Sequence, residues 1–360
     1  MEHGAFLDEL SEAVKKPYFL PEWERPAGMI FELSTESDTL RNLGQMLSAR
    51  AQCSVEAGDA ERAIDDILTL FLFGRKVGQG PGIVPALVGT AIESMGQYRL
   101  RDLLHSEKAT DAQLARLETG LKALPAALTF PEILAREQFF TFDALQTLLR
   151  NPFTWEEALE TGAKSEKGCW LGIFFDKNLL REYFCREWRT LNAIASEPDP
   201  LERQRRYEIF EKEFDDSCQS LSPLALFFLR SRSEYVGRMF LALLIPAECQ
   251  LDTGIKRRDT IFRISLLAVQ TERFRIQNGR VSASLSELGA VDAFDPFTGR
   301  QTLTLRPNPL TPEEWSKRYP SERFEDFAWL PWLLYSYGSN GQDDQGEWDP
   351  DDFGKGDVLF

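Results

Sequence analysis

The sequence predicts a mainly α protein with a carboxyl-terminal α+β module: an irregular helical domain over residues 1–250, then, over residues 251–360, a long helix packed on a small antiparallel sheet. Three observations carry this. Between residues 38 and 250 apolar side chains recur every three or four positions, with Gly and Pro breaks between the runs. A broad apolar face from Arg257 to Asn278 ends at Asn278-Gly279, a natural helix stop. Beyond it, Thr302 and Thr304 alternate with Leu303 and Leu305, and Trp332–Tyr337 supplies a second strand to pair with them.

Taken in order, Leu40, Leu43, Met46, Leu47 and Ala51 define a first amphipathic helix, and Gly58-Asp59 breaks it. A second helix carries Ala63, Ile64, Ile67, Leu68, Leu70, Phe71 and Leu72, and fades at Gly74 and the Gly78–Gly82 turn. Ile83–His105 and Thr110–Leu124 follow; the latter opens with Thr110-Asp111-Ala112-Gln113, a capping box, and Pro125 stops it. Helical spacing resumes over Pro131–Leu149, Lys177–Ala195, Leu201–Phe214 and Leu221–Leu244, separated by Asn151-Pro152 and Glu197-Pro198-Asp199-Pro200. Ser284–Leu288 reads as a short helical turn and Asp295–Arg300 as a tight turn.

Composition limits the function classes. With 41 Lys and Arg against 57 Asp and Glu, the net charge of −16 disfavours a nucleic-acid surface, whose affinity comes largely from cationic contacts to phosphate. A polybasic membrane patch is disfavoured for the same reason. The five cysteines are widely spaced, without a C-x-x-C pair, so free thiols are expected rather than a zinc knuckle. Neither a basic leader nor a bilayer-length apolar run is evident. Taken literally, the chain is cytoplasmic; if an amino-terminal anchor is missing, it is extracytoplasmic or periplasmic.

Catalytic signatures are sparse. His3 and His105 are the two histidines, and no G-x-S-x-G, H-E-x-x-H or P-loop occurs. Gly78–Gly82 lacks the lysine and preceding strand that phosphate binding needs, and reads as a turn. Glu132, Glu137, Asp143 and Glu234 are the carboxylates available for acid–base chemistry, with Trp155 and Trp170 as aromatic walls of a groove between the domains.

The end of the chain carries more chemistry. Seven acids and one lysine follow Gly338, and such a concentration of carboxylate beside an apolar strand calls for water or for a hard cation such as calcium.

Two resemblances bear on the fold. Ala49, Ala57-Gly58-Asp59, Ala63 and Asp66 are placed in a way similar to the helix-turn-helix of tetratricopeptide repeats, although no second copy recurs at a fixed period. The helix followed by Asn278-Gly279-Arg280, Ser284-Leu285, Leu288, Asp295-Pro296-Phe297, Gly299, a strand, Leu334-Tyr335-Ser336, Gly338, Asn340-Gly341, Asp343-Asp344 and Gly356-Asp357-Val358 resembles the periplasmic domain of the major pseudopilins of type II secretion. The whole chain also resembles proteins of planctomycete-type bacteria that join a helical region to such a tail and whose role is not established.

The pseudopilin resemblance implies a helix on an antiparallel sheet and a calcium-binding carboxyl-terminal loop. Carried over residue by residue, it names Asp343, Asp344 and Asp357, with Asp349, Asp351 and Asp352 nearby; the competing reading of these acids is a solvated tail. Arg257, Arg258, Arg263, Glu272 and Arg273 interrupt the helix where a pseudopilin has an apolar anchor, so filament assembly is not expected. Pro307–Phe327 is an insertion between the strands. The function expected is a protein-binding scaffold, possessing a helical domain for partner contacts and a calcium-stabilised module. The alternative is a hydrolase or other enzyme with a carboxylate-lined groove between the domains.

Overall fold

A computed structural model of the chain describes residues 4–17, 29–150, 176–219, 228–241, 245–289, 293–307, 331–338, 342–343 and 358–359. Among them the chain is mainly helical: α1 (Gly4–Lys15), α2 (Met29–Ala57), α3 (Ala60–Val77), α4 (Ile83–His105), α5 (Asp111–Lys122), α6 (Phe130–Arg150), α7 (Lys177–Ala195), α8 (Pro200–Gln219), α9 (Leu229–Leu241) and α10 (Ile245–Asn278). A 3-10 turn, Leu285–Leu288, leads to β1 (Thr304–Arg306), β2 (Leu333–Ser336) and β3 (Val358–Leu359), which form an antiparallel sheet in that order.

The helix limits follow local chemistry. Asp59 caps α3 by accepting from the Arg62 amide at 3.1 Å, and Thr110 and Gln113 complete the expected capping box of α5. Pro85, Pro131 and Pro246 lie in the first turns of α4, α6 and α10, and Pro200 opens α8. In a first turn the missing N–H has no partner to lose, so these prolines start helices. Helix α10 begins at Ile245, with Pro246 in its first turn, well before the Arg257 that the apolar spacing indicated.

Helix α3 is surrounded. It packs on α2, α4, α5 and α1, and Ile64, Ile67, Leu70, Phe71 and Phe73 are fully buried. Its crossing with α4 depends on two glycines: a Cβ on Gly89 would lie 2.5 Å from the Gly74 carbonyl oxygen and 2.7 Å from the Gly78 amide nitrogen. Backbones meet directly there.

Among the described residues, three apolar clusters share helix α4, and two of them also share α10. Leu7, Leu10, Val14, Leu47, Phe73 and Ile92 form the α1–α4 end. Ile67, Phe71, Leu100 and Leu117 continue into Ile264, Leu267, Leu303, Trp332 and Leu334, so the sheet closes over the same core as α3, α4 and α5. Phe130, Phe184, Trp188, Tyr207 and Phe210 meet Leu251 and Ile255 in the third. Helix α10, 34 residues and about 51 Å long at 1.5 Å per residue, therefore runs through both of the larger cores. The boundary drawn from sequence at residues 250 and 251 falls inside it.

The sheet register pairs Leu305 with Leu334 and Thr304 with Tyr335, as the alternation in Gln301–Arg306 anticipates. Strand β3 pairs Ser336 with Val358. The Pro307–Phe327 insertion, apart from Pro307, lies outside the described residues.

Gly89→Ala inserts a methyl group between two backbones that have no side chain to move aside. We expect a loss of about 1–3 kcal/mol in urea unfolding, the range for overpacking, even though alanine is the better helix former. Unchanged stability in this variant would contradict the crossing.

Candidate functional site

Two places gather ionisable groups in unusual surroundings: the end of strand β2, where the acidic run begins, and the α3–α4–α10 junction. At the first, Asp295 is fully buried and its carboxylate accepts from the Ser336 hydroxyl at 2.8 Å, the Tyr337 amide at 2.8 Å and the Phe297 amide at 2.9 Å. Burial raises its carboxyl above the ordinary range, and these three donors oppose the shift. The turn 295–299 is thereby fixed to the end of β2, with the Gly299 amide also bonded to the Asp295 carbonyl at 2.8 Å.

Beside it the Tyr335 hydroxyl donates to Asp343 at 3.2 Å, and Asp343 is exposed. Asp295 has its oxygens committed to protein donors, whereas Asp343 offers a solvent-facing carboxylate, the hard oxygen donor that calcium takes. Asp344, Asp349 and Asp357, with Asp351 and Asp352, lie outside the described residues. Among the described residues no group of three or more His, Cys, Asp or Glu side chains is placed to hold a metal.

At the junction, Arg75 of α3 and Glu93 of α4 are buried, with Nε and Oε2 3.1 Å apart. The two atoms are not aligned for a hydrogen bond. The Arg75 guanidinium lies over the Phe262 ring of α10, 4.6 Å from its centroid, a cation–π contact. Gly74 makes room for this arrangement, because a Cβ there would meet the Glu93 Cγ at 2.6 Å. Arg258, reaching the Leu128 carbonyl at 2.9 Å and Asp259 at 2.8 Å, is the next nearest cation.

Other buried charges are ties between helices. Arg50 grips Asp66 through two nitrogens, the closest approach being 2.6 Å. Asp252 holds both Lys256 at 2.8 Å and Arg203 of α8 at 3.1 Å, and Lys256 also donates to the Pro200 carbonyl at 3.1 Å. Arg273 joins α10 to Asp111 at 2.9 Å and to Glu118 of α5.

The carboxylates named from sequence for acid–base work have separate partners. Glu137 is buried and accepts from the Ile83 amide at 2.8 Å, so it caps the start of α4; burial raises its carboxyl. Glu132, on the exposed side of the same helix, accepts from the Thr129 amide and hydroxyl at 2.7 Å, and the amide bond holds its carboxyl low. Five residues apart, the two point roughly 140° away from each other around α6. Glu234 is paired with Arg230 at 3.4 Å, and Asp143 is exposed. Trp155 and Trp170 lie outside the described residues. His105 is exposed at the end of α4, and Cys53 and Cys185 are free thiols.

Glu93 went unnoticed in the sequence. The signal was its phase, directly after Ile92 on the face that packs on α3, but its partner Arg75 belongs to another helix and no local pattern joins them.

Burial pushes the Glu93 carboxyl from 4.5 up to about 7, with Arg75 and then Arg258 pulling the other way. The folded chain therefore holds this proton more firmly than the unfolded chain does. Its contribution to stability is complete below about pH 4.5 and is lost as the pH rises to about 7, by ~3 kcal/mol. In Glu93→Gln the decline in unfolding free energy between those two pH values should shrink by about that amount. Parallel pH profiles for the variant and the parent would refute the assignment.

Comparison with protein-family models, with curated proteins and with solved structures gives no match to this chain.

Proposed function

We propose that the chain is a non-enzymatic protein-binding or scaffolding protein. In this reading the tetratricopeptide-like helical domain contacts a protein partner, and a pseudopilin-like module stabilised by calcium completes the molecule in a setting linked to secretion or the cell envelope.

The observation that carries the reading is the contrast between the interior carboxylates and Asp343. Asp66, Glu93, Glu137, Asp252 and Asp295 are buried against named donors or cations and serve packing. Asp343 is exposed at the mouth of the acidic run, where one of its oxygens accepts from the Tyr335 hydroxyl. A cation bridging Asp343 to Asp344, Asp349 or Asp357 would relieve like-charge repulsion and couple metal binding to the order of that run.

The enzyme reading has one observation in its favour, the Glu93 carboxyl at about 7, within the range useful to a general acid or base. Glu93 is only 3% exposed and is covered by Arg75 and Gly74, so no substrate atom reaches it. Glu132 and Glu137, the acids first considered, are helix caps. The scaffold reading is therefore preferred.

Calorimetric titration of the full chain with calcium should show saturable binding, and thermal unfolding should move up by several degrees relative to chelator, since a ligand at a hundredfold excess over its Kd stabilises the folded state by about 2.7 kcal/mol. Asp343→Ala should weaken both effects. Absence of heat and of any shift in the parent chain would remove calcium from the proposal and leave the acids as a solvated tail.

A further inference from the structure

Leu7, Leu10 and Val14 fall at i, i+3 and i+7, one face of a helix. They are the buried residues of α1, and Asp8, Glu9, Glu12 and Lys15 around them are exposed. Twelve residues are at the lower limit for a helix that stands alone in water, so α1 owes its order to what it lies on. It packs on α3, and its three apolar side chains join Leu47 of α2 and Leu70, Phe73 and Val77 of α3 in one cluster. Helices α2 and α3 thus form a groove, and the kind of object that fills it is seen directly.

Polar groups fix how the helix lies. At one end Asp8 meets Arg50 of α2 at 2.7 Å and Arg62 of α3 at 3.3 Å, and the Ser11 hydroxyl accepts from Arg50 at 3.2 Å. At the other the Lys16 carbonyl accepts from Lys76. Arg50 is itself held by the buried Asp66, so this recognition point does not depend on α1. Asp8 is 62% exposed, and ion pairs at such a surface add little. Three apolar side chains therefore carry the attachment of α1, whereas α3 packs on four helices. An element held by so few buried contacts opens at a lower free energy than the whole chain unfolds. Leu40, Leu43, Met46 and Leu72, packed against the same cluster, are only half-buried with α1 in place. A helix with a broader apolar face gains contacts there that α1 does not make.

We propose that the α2–α3 groove is a binding site for an amphipathic helix of a partner protein, kept closed by α1 as an internal competitor. The partner helix presents apolar residues at i, i+3 and i+7 and a carboxylate at i+1 for Arg50, the pattern of α1 itself, on a broader apolar face. This rests on the protein-binding reading above and gives it a site, a partner chemistry and a form of regulation. The α1 of a second copy is the poorer occupant. It offers the same three side chains as the tethered α1, which has the advantage of being intramolecular, and two bodies each of charge −16 repel.

The test uses the full chain and two labelled synthetic peptides read by fluorescence anisotropy. One has the sequence of residues 4–15; the other adds Gly4→Leu and Ala13→Leu, at the half-buried edge of its face, to broaden the apolar stripe. The first should bind a Leu10→Asp chain, whose own α1 is loosened, at least about tenfold more tightly than it binds the parent. The second should bind the parent at least about tenfold more tightly than the first does. Asp8→Lys in either peptide should raise its Kd, since it sets a like charge against Arg50 and Arg62. Circular dichroism and cooperative thermal unfolding verify that the Leu10→Asp chain is folded. Hydrogen exchange on the parent needs no variant: the amides of α1 should exchange at least about a hundredfold faster than those of α3. Equal affinity of parent and variant, binding of neither peptide, indifference to Asp8→Lys, or α1 amides protected as well as those of α3 would each overturn the proposal. Self-association of the parent in sedimentation that Leu10→Asp abolishes would also overturn it, by assigning the groove to a second copy. The calcium titration reads the carboxyl-terminal loop, so an absent peptide response with an intact calcium response condemns the groove alone.

Discussion

The direct backbone contact between α3 and α4 at Gly74 and Gly89 sets the rest of the architecture. With no Cβ between them, the two helices approach closely enough for Arg75 and Glu93, one turn or less from the glycines, to share a space closed to water. That pair then becomes the surface on which α10 is seated, through Phe262 under the Arg75 guanidinium. Apolar burial supplies most of the favourable energy of such a core. The charged pair contributes little net stability, since desolvation of two ions offsets their attraction, but it restricts how α10 can lie. A guanidinium has a face, and only one rotation of α10 brings an aromatic ring beneath it.

Charge recurs along α10 in the same role. Asp252, Lys256, Arg258 and Glu272 are each no more than 5% exposed, an unusual density for one helix in a protein interior. Every one has a partner within reach: Arg203 for Asp252, the Pro200 carbonyl for Lys256, the Leu128 carbonyl for Arg258, Arg275 for Glu272. Removing one partner would leave a buried ion exposed to the low-dielectric interior, which is far more destabilising than removing both. The helix is therefore held in one register by groups whose separation from their partners is energetically prohibitive.

This explains what was readable in the sequence. Helices α3, α4, α5 and α7 emerged with nearly their true limits because their apolar spacing, the Asp59 and Thr110 caps and the Gly78–Gly82 turn all agree locally. The pairing of Gln301–Arg306 with Trp332–Tyr337 followed from period-two alternation. The early part of α10 was missed because Asp252, Lys256 and Arg258 look like a solvated face; their burial depends on α8 and on the chain at Leu128, far away in sequence. The helix-capping role of Glu137 was hidden for the same reason, since its partner, the Ile83 amide, is 54 positions distant. Single-sequence patterns record periodicity and caps. They carry no trace of which charge meets which across a core.

Helices α4 and α5 and the β1–β3 sheet all pack on α10, and its fixed register decides how they relate. Sliding α10 by one helical turn, about 5.4 Å, would separate Asp252 from Arg203 and Arg273 from Asp111 and Glu118 at the same time. Sheet β1–β3 would also lose the packing of Leu334 and Trp332 against Ile264 and Leu267. No single ligand contact described above compensates for so many simultaneous losses, and transmission by a shift of this helix requires a ligand with that much differential affinity for the two positions. Events at the end of β2 therefore stay local and leave α4 in place. The charged ties of α10 thus hold α4, α5, α8 and the sheet in one fixed relation to each other.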